Sequence, residues 1–299
     1  MLNALTIDVE DYYQVTAFEQ SIPRSSWGDY ESRVVRNTER LLELFELHDA
    51  TATFYILGWV AERFPGLVRR IHEAGHELGS HSYWHRLIYQ LEPREFREDL
   101  IKSCDAIQDI SGAKVKTFRA PSFSITKRSL WAFEVLAELG FEIDSSVYPT
   151  AHDRYGIRDA NRSIHRVETV QGELWEFPMT SIGRGPLTVP ISGGGYFRLY
   201  PIKATLKGLH SVNLRGEPFV FYLHPWEIDP LRPRPPHGSR ISRWRHYVNL
   251  ASTEAKLTRL LQSFDFASVS RVVSQHNRDE CNGHRLSLDV AESETVKDL

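Results

Sequence analysis

Two histidines four residues apart, His81 and His85 in the run HSYWH, are the sharpest chemical signal in this 299-residue chain. On a helical turn that spacing brings both imidazoles to one face, close enough to grip a single cation. The preceding GHELGS reads as a strand entering a turn, so the pair sits at a strand's end. Pairs of this kind also arise by chance on helices. A second cluster, Asp8, Glu10 and Asp11, closes the first apolar run, LNALTIDV. Period-2 alternation puts Asp8 and Glu10 on the same side of a strand. One carboxylate joining two imidazoles makes a facial triad with open positions, suited to a divalent metal that activates water. A second, unligated carboxylate can then act as general base. Alternation favours Glu10 as the ligand, whereas a bulged turn favours Asp11. The plain alternative is a solvated acidic turn.

Two further residues sit where strands end. His224 closes the apolar run FYLH, where an imidazole can meet substrate, although a histidine there is more often a satisfied core residue. Arg119 ends the strand in KTFRA, and a buried guanidinium demands an anionic partner. Asp8 is the obvious candidate, and the pairing would hold a base ionised and oriented. Gly193, Gly194 and Gly195 let backbone approach a ligand closely or form a plain tight turn. Tyr196, Phe197 and Arg198 after them are candidates for sugar contact. Arg240, Arg243 and Arg245 read as a solvated loop or the rim of a substrate site, with the former favoured.

These residues need strands and turns to carry them. The run at 2–9 predicts a buried first strand, TATFYIL at 51–57 a second, a short strand falls near 76–80, and KTFRA (116–120) and FEIDSS (141–146) follow. Helical spacing through Val34, Val35, Leu41, Leu42, Phe45 and Leu47 separates the first two. Residues 58–75 read as a helix broken at Pro65 and Gly66 and closed by Gly75, and 93–111 and 129–140 as two more. This β-α alternation predicts a mostly parallel sheet with outer helices, with its site at the strands' C-terminal ends. Further on, LWEFPMT (174–180) and SGGGYFRLYP (192–201) suggest strands and a glycine loop. A helix near 203–213 precedes a strand at 218–224. The Pro- and Arg-rich stretch 229–245 suggests a surface loop, and a helix at 252–264 and a short strand near 266–270 close the fold. One domain over 1–275 is expected, with a polar, disordered tail at 276–299.

The formal net charge is −3, with 41% apolar residues. That balance offers no stripe for nucleic acid or acidic membranes. Cys104 and Cys281 stand far apart and suggest neither a disulfide framework nor a thiolate metal site. No run approaches the 18 apolar residues of a membrane span, and the N-terminus lacks a signal-peptide pattern, so a cytoplasmic location is expected.

The ordered set TIDVED, HSYWH, FRAP, FEIDSS and FYLHPW, spread over residues 4–226, resembles the polysaccharide deacetylase family, the NodB-homology domain. The resemblance implies a distorted (β/α) barrel that hydrolyses an N- or O-acetyl group from a glycan with a divalent cation, zinc above all, with cobalt, nickel or manganese as alternatives. It implies Asp8 as general base, His81 and His85 as metal ligands with Glu10 or Asp11, and Arg119 as the brace of the base. It further implies His224 as general acid, with Asp144 tuning it. Leu223 falls at the position lining the acetyl-methyl pocket, and Pro121, Tyr196 and Trp226 join it as substrate-facing residues. The first motif departs from the family's paired Asp-Asp-Gly, and Ser122 precedes the expected aromatic, Phe123. SGGGYFRLYP, HPWEIDP and RHYVNLASTEAKLTRLL resemble the exosortase-associated subgroup, which implies a role in exopolysaccharide biosynthesis and a C-terminal extension from about residue 228. Two other readings are a cyclic amide or imide hydrolase of the allantoinase type on the same fold and a carbohydrate-binding protein without catalysis.

Overall fold

A computed structural model of the protein describes residues 1–152, 155–183, 185–234 and 240–278. The expected tail from 276 falls almost wholly outside them; residues 276–278 still belong to a helix running through 269–278. Among the described residues no helix is long and apolar enough to cross a membrane.

The first strand, β1 (Leu2–Val9), is buried along nearly its whole length. Strands β2 (Thr53–Ile56), β3 (Glu77–Ser80), β4 (Thr117–Phe118) and β5 (Ile143–Asp144) follow it in parallel order across one sheet. The helices between them are α1 (Val34–Leu47), α2 (Gly58–Arg63), α3 (Pro65–Glu73), α4 (Pro93–Ser111) and α5 (Ala132–Glu138). The expected break between α2 and α3 falls at Pro65, which opens α3 because its missing N–H is no loss in a first turn. Gly75, with φ +81°, lets the chain turn back into β3. A hairpin of β6 (His165–Thr169) and β7 (Gly172–Glu176) adds the only antiparallel pairing of the large sheet among the described residues. The small pair β8 (Ser181–Ile182) and β9 (Val189–Pro190) stands apart.

The stretch at 192–201, expected to carry a glycine loop and strand, instead forms helix α6 (Gly194–Leu199), followed by α7 (Ile202–Asn213). The glycines explain the difference. Gly193 is bridged to Tyr222, and a Cβ there would collide with the Tyr222 carbonyl, so the chain passes hard against its neighbour and then turns into a helix. Strand β10 (Val220–Leu223) pairs with β1 on the side opposite β2. Helix α8 (Arg240–Tyr247) replaces the end of the expected surface loop. Helix α9 (Thr253–Leu261) and strand β11 (Asp265–Ala267), which pairs with the start of β1, close the sheet.

Alternation along β1 and β10 sorts the site from the core. Leu5, Ile7, Phe221 and Leu223 join the large apolar cluster under the helices. Ala4, Val220 and Tyr222 belong to a second cluster on the opposite face, and the same parity carries Asp8, Glu10 and His224 to that inner face at the strands' C-terminal ends.

Candidate active site

Arg119 follows β4 directly, its backbone N–H held by the Ser80 carbonyl at 3.0 Å. Its side chain is completely buried. The guanidinium donates to Asp8 Oδ1 at 2.9 Å, to Thr6 Oγ1 at 2.6 Å, and to the carbonyl and Oγ of Ser145 at 3.0 and 2.9 Å. The expected Arg119–Asp8 pairing is therefore present. Tyr55 covers the cation 4.4 Å from its ring centre. With its donors committed, Arg119 fixes the carboxylate of Asp8 and leaves Oδ2 facing the cleft, 4.0 Å from His224 Nε2.

His81 and His85 do not lie on a helical turn, as their spacing suggests, but on an irregular loop after β3, with ring centres 5.3 Å apart. Side chains supply the bonds that a helix would. Asp99 accepts the backbone N–H groups of Tyr83 and Trp84, and Ser82 Oγ accepts that of His85. Ser82 and His85 both adopt positive φ, 64° and 53°, a backbone cost that persists where the surroundings hold it. His81 Nδ1 donates to the Arg119 carbonyl at 2.8 Å, which commits that nitrogen and turns Nε2 to the cleft as a free lone pair. Glu10 settles opposite, its Oε2 2.8 Å from His85 Nε2. Ligand atoms of Glu10, His81 and His85 all lie within 4.8 Å of one another, and all three residues are buried. Such a borderline N/O donor set with its imidazole tautomer preset fits a first-row divalent cation. Asp11 turns away: its carboxylate accepts from Ser32 Oγ at 2.5 Å and from the Arg33 backbone at 3.0 Å, capping the approach to α1.

Electrostatics follow this layout. Burial pushes the Glu10 carboxyl up, but His85, His224 and His81 outweigh it and bring the group down to about 2. Burial lowers His81 to about 4 despite Asp8 and Glu10, so it stays a neutral donor. Burial also disfavours charge on His224, yet Glu227, Glu10 and Asp8 overcome it and raise the imidazole to about 9.

The partner of His224 is the main correction to expectation. Asp144 bonds to the Oγ and N–H of its neighbour Ser146 and shares a hydrogen bond with the buried Glu176. Burial pushes both of these carboxyls up. The carboxylate on His224 belongs to Glu227, whose Oε1 lies 2.7 Å from Nδ1 and accepts the His224 backbone N–H at 3.1 Å. Residues 225–228 form a single 3₁₀ turn that brings Glu227 back to the strand end. Glu227 is in turn held by Arg198 Nε at 2.6 Å. Arg198 Nη1 also donates to the carbonyls of Arg245, His246 and Val248. The H-P-W-E spacing after a strand was the available signal for Glu227; nothing local in sequence could pair it with Arg198.

These groups surround one cleft of about 230 Å³, lined by Asp8, Glu10, His81, His85, His224 and Trp226 among others. Trp226 lines the cleft and stacks on His224 at 4.9 Å. Leu223 does not line the cleft; its parity sends it into the core beneath the helices. Pro121 is buried and opens the turn that presents Ser122 and Phe123 to the cleft instead. Tyr196 is not among the lining residues; its hydroxyl lies 3.1 Å from that of Tyr155, which does face the cleft. Tyr155, Tyr222 and His246 are lining residues that the sequence did not single out. Of the arginines near 240–245, Arg245 reaches the cleft and Arg243 is exposed.

Residues 26–143 match the family model for polysaccharide deacetylase, and residues 145–274 match a domain of unknown function, DUF3473. Both segments contribute strands to the one large sheet. The chain is 35% identical over 98 residues to a peptidoglycan-N-acetylglucosamine deacetylase of Bacillus cereus, covering 32% of this chain and 36% of that protein. It is 29% identical over 140 residues to a peptidoglycan deacetylase of Helicobacter pylori, covering 47% of each. A crystal structure from Mycobacterium smegmatis, assigned as a polysaccharide deacetylase, superposes with a TM-score of 0.64 at 17% identity over 93% of this chain and 91% of that one. The fold is thus that of the deacetylases, the distorted (β/α) barrel. Over residues 26–143 the chain resembles the polysaccharide deacetylase family. It spans less than half the length of these two sequence relatives.

Proposed function

We propose that this protein hydrolyses the acetamido group of an N-acetylated sugar within a polysaccharide, releasing acetate and a free amine, in the making of an exopolysaccharide. The observation that carries the reading is the convergence of Asp8, Glu10, His81, His85 and His224 on one cleft. Glu10, His81 and His85 are the residues proposed to hold a divalent cation, with zinc favoured by the two imidazoles. Such an ion, when bound, supplies Lewis-acid polarisation of the acyl oxygen and a more acidic water.

The chain's own groups divide the proton work. Asp8, oriented by Arg119, accepts a proton from the attacking water as the water oxygen bonds to the acetyl carbon. His224 enters protonated, because Glu227 holds the imidazolium against burial. It donates its Nε2 proton to the amine nitrogen as the C–N bond breaks, so that acetate and the amino sugar leave. Trp226 stacks on the imidazole and restricts its rotation.

The test is acetate release from N-acetylated glycans by protein loaded with zinc, combined with metal analysis of the wild type and of Glu10→Gln and His81→Ala. The reading expects one bound cation per chain, lost in both variants, and acetate release that chelation stops. Metal-loaded protein that liberates no acetate from neutral or acidic N-acetylated oligomers sinks it.

A further inference from the structure

We propose that a basic groove running on from the catalytic cleft binds negatively charged sugars, so that the polymer acted on carries carboxylates beside its N-acetylated residues. The inference rests on the deacetylase reading and names its substrate class. A second concavity of about 680 Å³ shares Tyr89 and Tyr155 with the cleft, so the two form one continuous track. A sugar chain anchored at His224 can extend along it without leaving the protein. His152 stacks on Tyr155 at 3.9 Å with the rings 10° apart, which gives the junction a stiff, flat wall.

Among the described residues the groove is predominantly basic, with Lys127, Arg128 and Arg158 lining it against Asp159. Lys127 takes Asp159 at 2.7 Å. Arg128 lies over the Tyr89 ring at 5.6 Å, and among the described residues neither it nor Arg158 forms an ion pair with a carboxylate. The chain as a whole carries 36 basic against 39 acidic residues, so this surplus is local. Exposed guanidinium groups offer planar forks that match a carboxylate. The groove therefore favours acidic sugars next to the N-acetylated residue held at His224.

Two oligosaccharides of equal length test this: alternating N-acetylglucosamine and glucuronate, and N-acetylglucosamine alone. Binding to zinc-loaded protein is followed by calorimetry, and turnover by acetate release. Lys127→Gln, Arg128→Gln and Arg158→Gln are combined in one variant, all three at exposed positions outside the catalytic groups. Exposed contacts contribute a few-fold each, so Kd and KM for the acidic oligomer should rise about tenfold together. The neutral oligomer should be unaffected, and added salt should weaken wild-type binding of the acidic one only. Equal effects on both oligomers, or no binding of the acidic one, would overturn the proposal. Salt-sensitive binding without acetate release would instead remove the deacetylase reading and leave the groove standing. Acetate release without preference for the acidic oligomer would do the reverse.

Discussion

Replacing Arg198 with methionine should be strongly destabilising. The guanidinium is 3% exposed and its partner Glu227 is fully buried. The substitution keeps most of the aliphatic volume but removes the 2.6 Å contact to Glu227 Oε2 and the donor shared by the Arg245, His246 and Val248 carbonyls. Burial pushes the Glu227 carboxyl up, and Arg198 first, then His224, hold it below its usual range. Without Arg198 the carboxylate stays buried with only His224 to compensate it. Breaking one side of a buried pair in this way costs about 3–5 kcal/mol. Urea unfolding followed by tryptophan fluorescence, extrapolated to water, measures the loss. The double variant with Glu227→Gln removes the stranded charge, so it should be more stable than the sum of the single losses, by about 1–3 kcal/mol. Losses that simply add, or a single-variant loss below about 1 kcal/mol, would mean that the pair contributes nothing to the fold and does not brace His224.

Three other outcomes follow from the geometry. Asp8→Asn should lower kcat at least about 100-fold, the usual worth of a positioned general base, with a far-UV spectrum like that of the wild type; near-normal turnover removes Asp8 from its role. His76, buried beside Phe45 and Phe54 and accepting the Ala52 N–H, is pushed down to about 4 by burial. Its folded value lies below its unfolded one, so its contribution is complete above about pH 6.5 and is lost as pH falls toward 4, by at most about 3 kcal/mol. His76→Gln should flatten the stability profile across that window, and an unchanged slope refutes the assignment. Gly193→Ala forces a Cβ against the Tyr222 carbonyl at a φ of 131°, and should lower stability by about 2 kcal/mol or more; a thermal midpoint within 1–2 degrees (about 0.5 kcal/mol) would show that the two segments separate without cost.

Period and punctuation made the first half of the chain legible. The α4 boundaries, the break at Pro65 and the strands before the acidic and histidine motifs are local properties, and local sequence encodes them. The second half reads less well because its pattern depends on what it packs against. The glycines of 193–195 look like a loop until Tyr222 is known to pass against two of them, and α8 has a polar, Arg-rich sequence with little amphipathic pattern to announce it.

The candidate site divides along the same line. Residue types and order alone were enough to nominate Asp8, Glu10, His81, His85, Arg119 and His224, because each stands at or just beyond a strand end, and parallel strands bring their ends together. Direction and partnership needed the folded chain. Glu10 rather than Asp11 faces the imidazoles because Ser32 and Arg33 draw Asp11 toward α1. Glu227 rather than Asp144 meets His224 because one 3₁₀ turn brings it back, while Ser146 and Glu176 occupy Asp144. Such choices are made by side chains distant in sequence, as Arg198 on Glu227 makes plain, and spacing along a chain carries no record of them.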